Sequence, residues 1–195
     1  KNDMKDRKSL LILFTGVLLI LVSVLAYIQP WQNWPDEETK GWQLTVVGSD
    51  GNQKVLSFQD IRELPAHEGN GGFFSTVGIV FGPYQAKGVT LEELCNIVGG
   101  IKPNEALMVS ARDGYSTVLS YEQVMGDFIT YSTELKEVPH QELKTILMYQ
   151  QDSRLLSDAD GKPLRIAIVG SPPNLLTEGN YWVKWVNKLE VLKAP

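Results

Sequence analysis

The stretch Asp160-Gly161-Lys162-Pro163-Leu164-Arg165-Ile166-Ala167-Ile168-Val169 and, beyond one loop, Tyr181-Trp182-Val183-Lys184-Trp185-Val186-Asn187-Lys188-Leu189-Glu190-Val191 decide the fold. The first is a turn that enters an apolar strand at Leu164–Val169. In the second, side chains alternate between two faces, as successive residues of a strand must. Trp182, Lys184, Val186 and Lys188 share one face; Val183, Trp185, Leu189 and Val191 share the other, which reads as core. The connection Ser171–Asn180 is a proline-punctuated loop of the kind a rigid sheet presents to ligands.

Working outward, strands dominate. Trp42–Val47 alternates and turns at Gly48–Asn52 into Lys54–Phe58, a hairpin. Glu105–Ala111 and Ser116–Leu119 flank Asp113-Gly114, a two-residue turn signal, and form a second hairpin. Phe128–Tyr131 and Thr145–Tyr149 add further strands. Three short helices open at Ser57-Phe58-Gln59-Asp60, Thr90-Leu91-Glu92-Glu93 and Ser120-Tyr121-Glu122-Gln123, each with a capping-box pattern. Hairpins with interspersed short helices make this an α+β chain, mostly β, rather than a wound parallel sheet. Gly69-Asn70-Gly71-Gly72 reads as a loop whose glycines permit close backbone approach.

The turn Arg112-Asp113-Gly114-Tyr115, the strand entry Gly161-Lys162-Pro163-Leu164-Arg165 and the closing strand around Val183-Lys184-Trp185 occur in one order. In that ordered set the chain resembles the molybdopterin-binding domain of the sulfite oxidase family, over Trp42–Leu192. The resemblance implies a mixed-sheet, barrel-like, sulfite-oxidase-type domain. It also implies a central pocket near Asp113, Tyr115, Arg165 and Lys184, the candidate cofactor-binding residues, and molybdopterin as the cofactor. In the family's enzymes the pterin dithiolene and one cysteine thiolate hold molybdenum, a metal suited to soft sulfur ligands. The matching segment here, Gly72–Gly82 before Gly88-Val89-Thr90-Leu91, offers only Ser75 and Thr76. No metal ligand is assigned, and molybdenum is expected to be absent.

From the residues alone, each candidate has a second reading. Asp113-Gly114 is a hairpin turn that can also line a pocket; Arg165 is a solvated edge residue or half of a buried ion pair; Lys184 is a solvated strand lysine. Cys95, the single cysteine, follows Leu91 and Leu94 and precedes Val98 on one helix face, which makes it a small, inert core residue. His67 and His140 lack a neighbouring nucleophile. The sequence has no nucleophile elbow, P-loop lysine or calcium loop.

Ser9–Ile28 is an uncharged apolar run long enough, at ~1.5 Å per residue, to span a ~30 Å hydrocarbon core. Lys1, Lys5, Arg7 and Lys8 precede it and outnumber Asp3 and Asp6, so residues 1–8 stay in the cytoplasm and the C-terminal domain is extracytoplasmic. A signal peptide cut near Val24-Leu25-Ala26 is the alternative, though its apolar core would be unusually long. Residues 29–41 form a polar stalk bearing Trp31 and Trp34, and 42–195 one domain. The chain has 18 Lys+Arg and 23 Asp+Glu; beyond residue 8 this leaves 14 against 21. That balance, without a basic tract, excludes nucleic acid as a partner. With one cysteine and two histidines, disulfide frameworks and zinc clusters are excluded too.

Three functions fit. The chain is a single-pass cell-membrane protein whose domain has lost the metal-ligating cysteine and serves as a small-ligand, anion-binding or assembly module. Alternatively it is a molybdopterin-dependent oxidoreductase with an atypical metal site, or a docking subunit of a membrane complex. Its expected partners are the membrane, a small anion or pterin, and that complex.

Overall fold

The computed structural model describes residues 39–193. The apolar run at 9–28 and the first ten stalk residues lie outside them. Among the described residues no helix is long and apolar enough to cross a membrane.

Two sheets carry the domain. The first is built on β1 (Gln43–Val47), β2 (Gln53–Ser57), β5 (Glu105–Ala111), β6 (Ser116–Ser120) and β13 (Val186–Lys193), ordered β2-β1-β13-β5-β6. β1 and β13 run parallel, and the other pairs are antiparallel. Trp42 fastens the start of β1: its Nε1 donates to the Val186 carbonyl at 3.2 Å, and the Arg112 guanidinium lies 5.0 Å from its ring.

The second sheet contains β3 (His67–Phe74), β4 (Val80–Thr90), β7 (Thr130–Tyr131), β8 (Glu137–Val138), β9 (Leu143–Gln151), β10 (Arg154–Leu155), β11 (Arg165–Gly170) and β12 (Leu176–Glu178). Its path is β10-β9-β11-β3-β12-β7-β8, and β4 pairs with both β3 and β9. Thus β3, β4, β9 and β11 pair in a closed cycle, the barrel-like element expected from the resemblance. Parallel pairing of β12 with β3 makes this sheet mixed as well.

Three helices of five or six residues, α1 (Phe58–Glu63), α2 (Leu91–Asn96) and α3 (Tyr121–Met125), cap the β layers. The Ser57/Asp60 and Ser120/Gln123 boxes close reciprocally, whereas at α2 only the Thr90 hydroxyl accepts from the Glu93 amide. Each satisfies an amide that a helix start leaves without a partner. Leu91, Leu94 and Cys95 of α2 are buried with Val98, so the periodic face is core. β11 is buried along its whole length, which accounts for its apolar run from Ile166 to Val169 after Arg165.

Three expectations are corrected. Gly69–Gly72 is not a loop but the middle of β3. A Cβ on Gly71 would fall 2.2 Å from the Ile168 carbonyl oxygen, so glycine lets β3 lie directly on β11. The closing strand begins at Val186, not Trp182, because Trp185 adopts φ +54° and breaks the alternation; Val186 joins the core, while Trp185 does not. The Asp113-Gly114 turn holds three residues between Ala111 and Tyr115, with Gly114 left-handed.

Candidate functional site

The irregular segment Trp182–Trp185 and the β3–β4 hairpin enclose a cavity of about 610 Å³. Asp113, Tyr115, Arg165 and Lys184, separate in sequence, all line it, together with Phe73, Phe81, Tyr84, Asp160, Trp182 and Trp185. The volume is that of a small-molecule site.

Arg165 is the deepest charge. It opens β11 opposite Met148 and is only 3% exposed. Its guanidinium lies 4.7 Å from the Phe73 ring centre and 5.4 Å from that of Trp182; the two ring centres are 5.1 Å apart, so it rests against the pair. Trp182 is fixed in turn by its Nε1, which donates to the Thr177 hydroxyl at 2.8 Å. Phe73 stacks on Phe81, with centroids 4.8 Å apart and planes 10° apart, because the two are a cross-strand pair.

Polar satisfaction of this arginine is incomplete. Nη1 donates a long bond, 3.4 Å, to the Asp160 carbonyl, while the buried Nε has no acceptor. No carboxylate among the described residues lies within salt-bridge distance of it, so the ion-pair reading is not met. Burial therefore pushes the Arg165 pKa down.

Lys184 sits at the rim, where its Nζ donates to the Ala159 carbonyl. Burial first, and the nearby Arg165 charge second, lower its pKa. The Tyr84 phenol is pushed up by burial, and so stays protonated and able to donate. The Asp113 carboxylate accepts from the Tyr115 amide at 3.0 Å, and the Tyr115 hydroxyl donates to the Asn180 carbonyl at 3.1 Å. Asp160 is occupied by the Ser157 hydroxyl. The carboxylates are thus engaged in local turns, whereas the two cations are partnered by neutral carbonyls and rings.

No thiol or imidazole lines the cavity. Cys95 is buried in α2, away from the lining, and its pKa is pushed up to about 12, mainly by burial. Ser75 and Thr76 are not in the lining either. They form the β3–β4 turn, where the Ser75 hydroxyl accepts from the Ile79 amide at 3.1 Å. The members of the Gly72–Gly82 segment that reach the pocket are Phe73 and Phe81.

The aromatic floor escaped the sequence reading, which placed Trp185 in the core and gave Phe73, Phe81 and Tyr84 no role. A signal for it existed: Phe73 and Phe81 flank a turn at matching distances, as hairpin partners do. Among the described residues no cluster of His, Cys, Asp and Glu is arranged to hold a metal ion.

No curated protein matches the chain. Among solved structures, the sulfane dehydrogenase SoxCD from Paracoccus pantotrophus is similar in fold. Its TM-score is 0.63 at 18% identity, and the match covers 81% of this chain but only 40% of that one. The family described as "oxidoreductase molybdopterin binding domain" matches residues 76–195, more than half of the chain. With that match and the two-sheet architecture in hand, the chain belongs to the oxidoreductase molybdopterin-binding domain family.

Proposed function

We propose that this protein is a membrane-anchored, extracytoplasmic member of its family that binds a small anion in the Arg165 pocket and has lost molybdenum ligation. One observation carries the reading: a buried guanidinium with an unpartnered Nε, resting against the Phe73 and Trp182 rings, in a cavity without a thiol. A buried cation without a carboxylate is costly, and an oxyanion entering the pocket removes that cost by accepting from the planar fork. Lys184 adds a second charge at the rim, and Tyr84 a neutral donor. A metal-free pterin falls within this ligand class.

The residues do not fit the metal. Molybdenum in this setting calls for a thiolate, and the only one available belongs to a core cysteine whose ionisation is strongly suppressed. The site thus lacks the ligand a molybdenum redox step needs, and likeness of fold alone transfers no chemistry.

The test is elemental analysis of the full chain made in a host competent for molybdenum-cofactor synthesis, paired with sulfate binding. Substoichiometric molybdenum, together with sulfate binding that Arg165→Met abolishes, is expected. One equivalent of molybdenum per chain would overturn the reading in favour of an oxidoreductase with an atypical metal site. An apo chain that binds no anion would leave the docking-subunit role, which co-purification in mild detergent detects.

A further inference from the structure

The pocket continues into an exposed apolar strip. From Gly69 to Ala86 the chain carries no charged residue. Within that run Val77 is 78% exposed, Ile79 56% and Phe81 39%. Phe81 pairs with Phe73, and the Ser75 amide donates to the Ile79 carbonyl at 2.9 Å, so residues 73, 79 and 81 lie on one face of the hairpin. Phe81 belongs to both features: its ring stacks on Phe73 in the cavity lining, and exposed Ile79 lies two residues before it on the same face. A path thus leads from the buried Arg165 guanidinium, over two stacked rings, to aliphatic side chains in water.

We infer that the ligand is an anionic amphiphile, its oxyanion head at Arg165 and Lys184 and its apolar chain laid over Phe81, Ile79 and Val77. This rests on the anion-binding reading and narrows it. A compact anion would use the head site and leave the strip bare. A flat aromatic anion would fill the cavity without reaching Ile79. Only a ligand with a chain several methylenes long covers both, and it removes apolar surface from water on each partner. A second copy of the protein is a poorer cover. Three side chains expose a few hundred Å² at most, well below the ~800 Å² per partner of a standard interface.

The head chemistry is shared by free fatty acids and by anionic lipids, so the test separates these sources. Radiolabelled butanoate, hexanoate and octanoate, with sulfate and benzoate, would be dialysed to equilibrium against the full chain in zwitterionic nanodiscs, and protein-free discs subtracted. The four methylenes added between butanoate and octanoate should tighten binding by up to roughly 250-fold, at about fourfold per methylene buried on the strip. Ile79→Ser and Val77→Ser, both exposed and so compatible with folding, should flatten that series while leaving butanoate and sulfate unchanged. Discs containing phosphatidylglycerol should compete with octanoate if the head is that of a lipid, and should not if the ligand is a free acid; either result fits the amphiphile.

Equal affinity across the series, or benzoate binding as tightly as octanoate, would overturn the amphiphile and leave anion binding standing. Octanoate binding that Ile79→Ser does not touch would also overturn it. No binding of any anion would remove both readings together.

Discussion

The Arg165 guanidinium lies 4.7 Å from the ring centre of Phe73, and that ring is covered on its outer side by Phe81. The proposed anion site requires that the pair not be a brace for the fold. A brace would present a carboxylate to the arginine, whereas here its Nε finds no acceptor. Arg165→Met keeps apolar volume against the Phe73 and Trp182 rings and removes the unpaired charge. It should leave unfolding stability within about 1 kcal/mol of the parent, or raise it, since apolar replacement of buried charge is often stabilising. A denaturant midpoint shows the change; a loss of ~3 kcal/mol or more would identify a structural partner.

Lys184 should give the proposed anion site a pH dependence. Its pKa in the ligand-free fold lies below 10.5, lowered by burial and then by Arg165, so it loses its proton earlier than a free lysine. An anion stabilises the protonated form. Affinity for sulfate should therefore be greatest on the acid side and fall as pH rises through that lowered value. Lys184→Met should weaken binding below this window and erase the slope within it. For the unliganded fold the sign reverses: the unfolded chain binds more protons between the lowered value and 10.5, so stability rises with pH there. Titrations of sulfate affinity at several pH values report the first effect; a slope identical in parent and Lys184→Met would exclude Lys184.

Much of this architecture is legible locally. The Ser57/Asp60 and Ser120/Gln123 boxes involve groups three residues apart, so the sequence displays every participant. Arg165 at the head of its strand and Asp113-Gly114 in its turn were likewise visible, and the cavity brings them together with Tyr115 and Lys184. What stayed hidden depends on partners distant in sequence. β3 carries glycines in place of a β pattern because Ile168 and Val169 occupy the space their side chains would need. The alternation through Trp182–Val191 fails at Trp185. There the Arg112 amide donates to the Trp185 carbonyl at 3.0 Å, and the Trp185 amide donates to Gly161. These contacts hold a left-handed tryptophan that no local propensity would suggest.

Gly71 offers a direct check of that packing. Its Cβ would meet backbone, which cannot rotate away, 2.2 Å from the Ile168 oxygen. Gly71→Ala should cost roughly 2–4 kcal/mol as overpacking, whereas Gly41→Ala, with nothing within 4 Å, should stay within about 0.5 kcal/mol. Thermal or urea midpoints distinguish the two. Equal effects would mean that β3 does not rest on β11 in this register.

The anchor proposal concerns residues 9–28, beyond the described domain. It expects the full chain to stay in the membrane through carbonate extraction, and the domain to be digested when protease is added to intact spheroplasts. A protected domain would reverse the topology. Release by carbonate, with a new N-terminus near Ala26, would establish signal cleavage instead.

Cys95 is the last test, because it separates a core residue from a latent metal ligand. It is buried between Leu91, Leu94 and Val98 in α2 and its neighbours. Its pKa is raised from 9.0 to about 12, burial contributing most and Glu105 and Glu92 less. A thiol reagent at neutral pH should leave it unlabelled until the chain unfolds. Linkage adds a second signature. The native thiol keeps its proton where the unfolded thiol has lost it, so stability should decline as pH rises from about 9 towards 12. The limiting slope is about 1.4 kcal/mol per pH unit. Cys95→Ala should cost ~1 kcal/mol at neutral pH as a small truncation, yet remove that part of the alkaline decline. Parent and variant should therefore converge and then cross in stability as pH rises, since the alkaline loss over this range exceeds the ~1 kcal/mol truncation cost. Rapid native labelling, or curves that stay parallel, would show an accessible thiolate and reopen the question of metal ligation.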